Sequence, residues 1–234
     1  MFPLRDTVFR TTTPAVVLSL ISANALIFLF ELTLSPAEFE QLLRHYAVIP
    51  ARYFDSGWAW SRGLSSTDPV PFFTAMFLHS GWFHIIFNMW TLWIFGPALE
   101  DRLGHGRFIL FYVLCGLAAS FAHAAIYPDS QIPVIGASGA IAGVIAAYAI
   151  SFPSARLMVL VPLFLIIPLF IQVPALLFAV FWFVVQILQG FFEAAVPGIG
   201  GIAWWAHISG FLSGLLFLWL IRPDLARGDP TGNA

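Results

Sequence analysis

Six apolar runs constrain this chain more than any motif within it. They lie near residues 14–34, 72–95, 107–127, 134–152, 174–191 and 202–221. Each approaches the ~20 residues that a helix needs to cross a hydrocarbon core. With 60% apolar and 9% charged residues, too little polar surface exists to clothe a water-soluble globule, so the runs read as membrane spans. The first run carries Asn24 and Glu31 and lacks a small-residue cleavage site, so it reads as a retained span rather than a signal peptide.

The stretch from Leu157 to Val173 is nearly as apolar, and a seventh helix there would reverse the direction of everything after it. Pro162, Pro168 and Pro174 recur every six residues, and a helix-interior proline removes a hydrogen bond that lipid cannot replace. The ten basic side chains are all arginine. With six spans and the N-terminus inside, Arg5, Arg10, Arg102, Arg107, Arg156, Arg222 and Arg227 are cytoplasmic and Arg44, Arg52 and Arg62 are outside, which satisfies the positive-inside rule. The expected fold is therefore an all-α membrane protein with six transmembrane helices and both termini cytoplasmic. Residues 1–13 form a cytoplasmic N-terminal segment, 14–222 the membrane domain, and 223–234 a short, polar, disordered tail. Within the domain, 155–173 is expected as an interfacial connection, and 35–71 rests partly in the outer interface through Tyr53, Trp58 and Trp60.

Several function classes drop out on composition. A net charge of -2 gives no support for nucleic-acid binding. The absence of lysine removes Schiff-base and Ser-Lys chemistry. Cys115 is the single cysteine, so no intramolecular disulfide can form, and it reads as a small buried hydrophobe.

Polar groups inside lipid are costly and are functional candidates by default. His84 and Asn88, four apart, share a face of the second span, with His79 nearer its outer end. Ser138 opens the fourth span, and His207 lies early in the sixth. Spans two, four and six run from outside to inside, so His79, His84, Ser138 and His207 fall in the outer half of the bilayer, with Asn88 deeper. Gly139 with Gly143, and Gly210 with Gly214, are small-xxx-small patterns that let the fourth and sixth spans approach closely. His207 shares the face of Gly210 and Gly214, which turns its imidazole towards the Ser138 helix. The connection from Gly190 to Gly201 is glycine-rich enough to act as a movable cap over an outer cavity.

Four motifs in this order, His79-x4-His84-x3-Asn88, Glu100-x-Arg102-x-Gly104, Gly136-x-Ser138-Gly139 and Ala206-His207-x2-Gly210-x3-Gly214, resemble the rhomboid intramembrane serine proteases. The resemblance covers roughly residues 72–221 and implies a six-span rhomboid bundle of the bacterial type. In it Ser138 is the nucleophile and His207 the general base of a dyad without aspartate. It also implies an oxyanion hole from the Ser138 backbone N–H, His84 and Asn88, with His79 supporting the outer cavity. Gly136 and Gly139 permit the tight backbone around the serine. Implied partners are the lipid bilayer and single-span transmembrane substrates that enter laterally near the fifth span, with no cofactor and no metal. The implied location is a plasma membrane, as a multi-pass bacterial inner or cell membrane protein. Two departures stand out: Ala142 replaces an aromatic that many members stack on the catalytic histidine, and a Trp-Arg pair that some members carry before His79 is missing.

The chemistry is consistent with that implication. A serine hydroxyl is a poor nucleophile until a base takes its proton, and histidine can accept it and return it to a leaving amine. Glu100 and Arg102 read as holding the turn between spans two and three, while His45, His105 and His123 read as structural or solvated. The rival readings are an inactive rhomboid-like binder of membrane clients and a transporter. The first typically loses the serine or the histidine, and the second would line a path through both leaflets. Zinc and aspartyl intramembrane proteases lack their signatures here, because no His-Glu-x-x-His motif occurs and no span carries an aspartate.

The topology is testable directly. A reporter fused after Arg227 is expected to register a cytoplasmic C-terminus; an outside signal would restore the seventh span.

Overall fold

A computed structural model describes residues 2–163, 167–195 and 203–222. The chain begins with strand β1 (Phe2–Asp6) and helix α1 (Ala15–Glu31). Short helices follow: α2 (Pro36–Tyr46), α3 (Pro50–Phe54), α4 (Ser56–Ser61) and α5 (Val70–Thr74), the last continued by a 3-10 turn at Ala75–Phe77. Helices α6 (Trp82–Leu103), α7 (His105–Ile126) and α8 (Ser138–Ser151) precede strands β2 (Arg156–Leu163) and β3 (Ile167–Pro174), then helices α9 (Ala175–Ala195) and α10 (Trp204–Ile221).

This is a mostly helical membrane bundle. By length and composition α7, α9 and α10 can cross a membrane, and the segment Val70–Phe77 with α6 makes a fourth if that pair, bent by 92°, is one crossing. Helices α1 and α8 are apolar but shorter, at 17 and 14 residues. The expected tail 223–234 and residues 196–201 of the expected cap lie outside the described residues.

The expectation of an all-α chain is corrected. Strands β1, β2 and β3 form an antiparallel sheet in that order, running from Phe2↔Leu160 to Asp6↔Leu157 and from Arg156↔Pro174 to Leu163↔Ile167. Prolines that forbid a helix here are compatible with strands because of where they sit. Pro168 and Pro174 lie on the edge strand, and Pro162 lies beyond the last β1 partner at Leu160, so no ladder bond to β1 is missing. The period of two then sends Leu157 and Val159 into the core. The N-terminal segment is tied down: the Trp90 indole donates to the Pro3 carbonyl at 2.7 Å, and the Tyr148 hydroxyl donates to Asp6 at 3.0 Å.

Helix α8 is the centre of the bundle, buried from Gly139 to Ala149 and enclosed by α6, α7 and α10. Its contact with α10 is backbone on backbone. A Cβ at Gly210 would overlap the Gly139 carbonyl, and one at Gly214 would stand 2.5 Å from the Gly143 Cα. A Cβ at Gly143 would stand 2.6 Å from Cys115 Sγ of α7 and 3.0 Å from the Gly210 oxygen of α10.

The start of α1 takes its cap from another helix. Pro14 leaves α1 without a side-chain cap of its own, and the buried Glu100 of α6 supplies one by accepting the Val16 and Val17 N–H groups at 2.8 Å. The same carboxylate binds His105, so Glu100 holds the start of α1 as well as the α6–α7 turn. Between α1 and α6, the buried Arg52 donates to the Ser65 and His45 carbonyls and pairs with Asp68 at 2.8 Å. Beside it the Tyr53 hydroxyl donates to the Asp68 carbonyl, and burial pushes this phenol up to about 12.

Substituting Gly210→Val is expected to cost at least about 2 kcal/mol, because rigid backbone rather than a flexible side chain occupies the space. Thermal unfolding in detergent measures this; an unchanged midpoint would contradict the close approach of α8 and α10.

Candidate active site

Ser138 is the first residue of α8, and its first-turn N–H groups have no partner within the helix. The backbone reaches it through Gly136, whose φ of +112° is a conformation that side chains rarely adopt. The Gly136 N–H donates to the Ala75 carbonyl at 2.8 Å, which fixes the turn against the segment leading into α6.

The α8–α10 contact sets the next position. With Gly210 against Gly139, His207 one turn earlier on α10 faces Ser138, and His207 Nε2 lies 2.8 Å from Ser138 Oγ. Both side chains remain partly exposed. A cavity of about 10 Å³, room for a single water, lies beside Ser138 among Ser120, Gly136, Ala203 and Ala206.

The other face of the site comes from the break before α6. Ser80 N–H points at His84 Nδ1 at 3.4 Å and Ser80 Oγ lies 3.1 Å from the same atom. A backbone N–H can only donate, so Nδ1 accepts and the proton sits on Nε2. That Nε2 is directed at the serine loop, since a Cβ on Gly136 would fall 2.5 Å from it. The same hypothetical Cβ would lie 3.5 Å from Asn88 Nδ2.

His79 is held from behind. Its backbone N–H donates to the buried Glu31 carboxylate of α1 at 3.2 Å, and its Nδ1 faces the Phe77 carbonyl at 3.3 Å. A carbonyl only accepts, so Nδ1 carries the proton and Nε2 accepts from Asn88 Nδ2 at 3.1 Å. Asn88 keeps its second N–H for the site, and the His79 and His84 rings meet edge to face at 4.9 Å.

The sequence-predicted residues Ser138, His207, His84, Asn88, His79, Gly136 and Gly139 thus gather in one place. Four others went unread in the sequence: Glu31 behind His79, Gln186 of α9 hydrogen-bonded to His207 Nδ1 at 2.8 Å, and Trp182 and Trp204, each with its ring 6.0 Å from the His207 imidazole. Those indoles give the His207 ring aromatic neighbours where Ala142 supplies none. A glutamine inside an apolar run is the signal that could have found Gln186. Among the remaining histidines, His105 binds Glu100 and His45 Nδ1 lies 2.9 Å from the Gln41 carbonyl.

Residues 66–224 match the rhomboid domain. The chain is 32% identical over 168 residues to RHOMBOID-like protein 1 of Arabidopsis thaliana, covering 69% of this chain and 38% of that one. It is 27% identical over 168 residues to the mitochondrial rhomboid protein 1 of Saccharomyces cerevisiae, covering 69% and 44%. Over 74 residues it is 42% identical to the rhomboid protease GluP of Bacillus subtilis, covering 32% and 14%. In each case the match spans less than half of the curated relative's length.

Gly136→Ala is expected to lower stability by about 1–3 kcal/mol, from the strained φ together with the overlap on His84. Thermal unfolding measures the cost; a midpoint equal to wild type would show that the loop has another conformation.

Proposed function

Because the chain belongs to the rhomboid family, we propose that it is an intramembrane serine endopeptidase that cuts single-span membrane proteins with Ser138 as nucleophile and His207 as general base. The observation that carries this reading is the 2.8 Å hydrogen bond between Ser138 Oγ and His207 Nε2. It also favours catalysis over an inactive client binder, which has no use for such a pair.

Catalysis runs through five groups. His207 Nε2 takes the Ser138 proton as Oγ attacks the substrate carbonyl carbon. The developing oxyanion accepts hydrogen bonds from the Ser138 N–H, His84 Nε2–H and the free Asn88 N–H, at the positive end of the α8 dipole. His207 then returns its proton to the leaving amine, and water hydrolyses the acyl-enzyme by the same steps in reverse order. His79 supports Asn88 and takes no part in proton transfer, and the mechanism calls for no metal or cofactor.

The reading includes a setting. Residues 14–222 form the membrane domain with six crossings, 1–13 and the tail 223–234 are cytoplasmic, and the membrane is a plasma membrane of bacterial type. At 1.5 Å per residue, the 14 residues of α8 extend about 21 Å against a hydrocarbon core of about 30 Å. A helix that short supports a nucleophile submerged below the outer surface, reached by water through a polar cavity.

Purified protein in detergent is expected to cleave a labelled single-span substrate near its outer boundary. Ser138→Ala and His207→Ala should abolish cleavage, and Asn88→Ala should slow it by ~100- to ~1,000-fold. Equal cleavage by Ser138→Ala would refute the assignment.

A further inference from the structure

We propose that Gln186 is a positioning residue that fixes His207 in the one neutral tautomer able to act as a base towards Ser138. The proposal deepens the reading above and rests on it. Gln186 is buried within α9, and its side chain has two partners. Its Nε2 lies 3.1 Å from the Trp182 carbonyl, and its Oε1 lies 2.8 Å from His207 Nδ1.

The orientation of the amide follows from the first contact. A carbonyl only accepts, so the end of Gln186 that meets Trp182 must be the NH2 group. A reversed amide would set two oxygens against each other in an apolar helix pair, where an unpaired acceptor is costly. The oxygen therefore faces His207, and because oxygen only accepts, Nδ1 must carry the imidazole proton. Neutral imidazole has only one, which leaves the Nε2 lone pair directed at Ser138 Oγ. The opposite tautomer would aim an N–H at the serine and could not take its proton.

Among the described residues, Gln186 is the one side chain hydrogen-bonded to His207 Nδ1. The titratable side chains that act on it are His84 of α6 and His123 of α7, neither of which is an acid. Trp182 and Trp204 limit the ring from two sides, at interplanar angles of 34° and 86°, but a ring contact does not choose between tautomers. Ala142 supplies no ring at all. Gln186 thus takes the place at Nδ1 that a carboxylate fills in a catalytic triad, without adding a charge within the membrane.

The test compares Gln186→Met, which keeps length and removes the acceptor, with Gln186→Glu, which keeps the acceptor. The readout is the rate at which a fluorophosphonate probe labels Ser138, a step in which Oγ–P forms, P–F breaks and His207 receives the proton. Gln186→Met should label at least about 10-fold more slowly and lose kcat by the same factor at unchanged KM, as expected when an interaction specific to the transition state is removed. Gln186→Glu should retain labelling within about 3-fold, with the acid limb of its pH profile displaced upwards because a carboxylate at Nδ1 favours the imidazolium.

Wild-type labelling by Gln186→Met would overturn the proposal. So would a Gln186→Glu protein whose pH profile stays in place, and this second arm decides the matter if the Met variant fails to fold. No labelling of wild type would instead refute the serine-hydrolase reading itself, which keeps the two failures apart.

Discussion

The close approach of α8 and α10 governs the rest of this structure. Lipid gives helices no hydrophobic reason to associate, so contact must come from packing and polar satisfaction. Here four glycines let two backbones touch, with Gly210 on Gly139 and Gly214 on Gly143. That contact fixes both the separation and the rotation of the helices. One residue before Gly139 and three before Gly210, the same contact leaves Ser138 Oγ and His207 Nε2 at hydrogen-bonding distance. Packing on one side of each helix thus positions the polar groups at its end.

Around this axis the buried polar groups form chains in which backbone groups set the direction. Glu31 holds the His79 backbone, the Phe77 carbonyl fixes the His79 proton, and His79 in turn orients Asn88. Ser80 fixes the proton of His84 in the same manner. The Trp182 carbonyl does so for Gln186 and, through it, for His207. Each chain starts at a backbone N–H or C=O or at a buried carboxylate, groups whose hydrogen-bonding role does not switch as an imidazole's does. In a medium with little water to compensate errors, that anchoring makes three histidine tautomers definite.

Much of this was legible in the residues, and the exceptions have physical causes. The apolar runs and the glycine spacing were readable because they are periodic and local. The serine and histidines were readable because ionisable groups in lipid are rare. The sheet was not readable. Prolines at 162, 168 and 174 exclude a helix, but an extended apolar segment reveals no partner, and its partner β1 lies about 150 residues earlier in the sequence. Glu100 was read as a local turn residue because its bonds to Val16 and Val17 span more than 80 positions. Gln186 was passed over for a different reason: an amide in an apolar helix is a weak mark until the atom facing it is known to be an imidazole nitrogen.

Gln186 also ties three helices to one ring. Ser138 rides on α8, His207 on α10, and the amide that orients the ring rides on α9. An outward lean of α9 by about 1 Å takes the 2.8 Å bond past useful hydrogen-bonding range while the glycine-locked serine and histidine stay where they are. The two contacts of the histidine ring thus depend on different packing: the Nδ1 contact on where α9 lies, and the Nε2 contact on the glycine seam of α8 and α10.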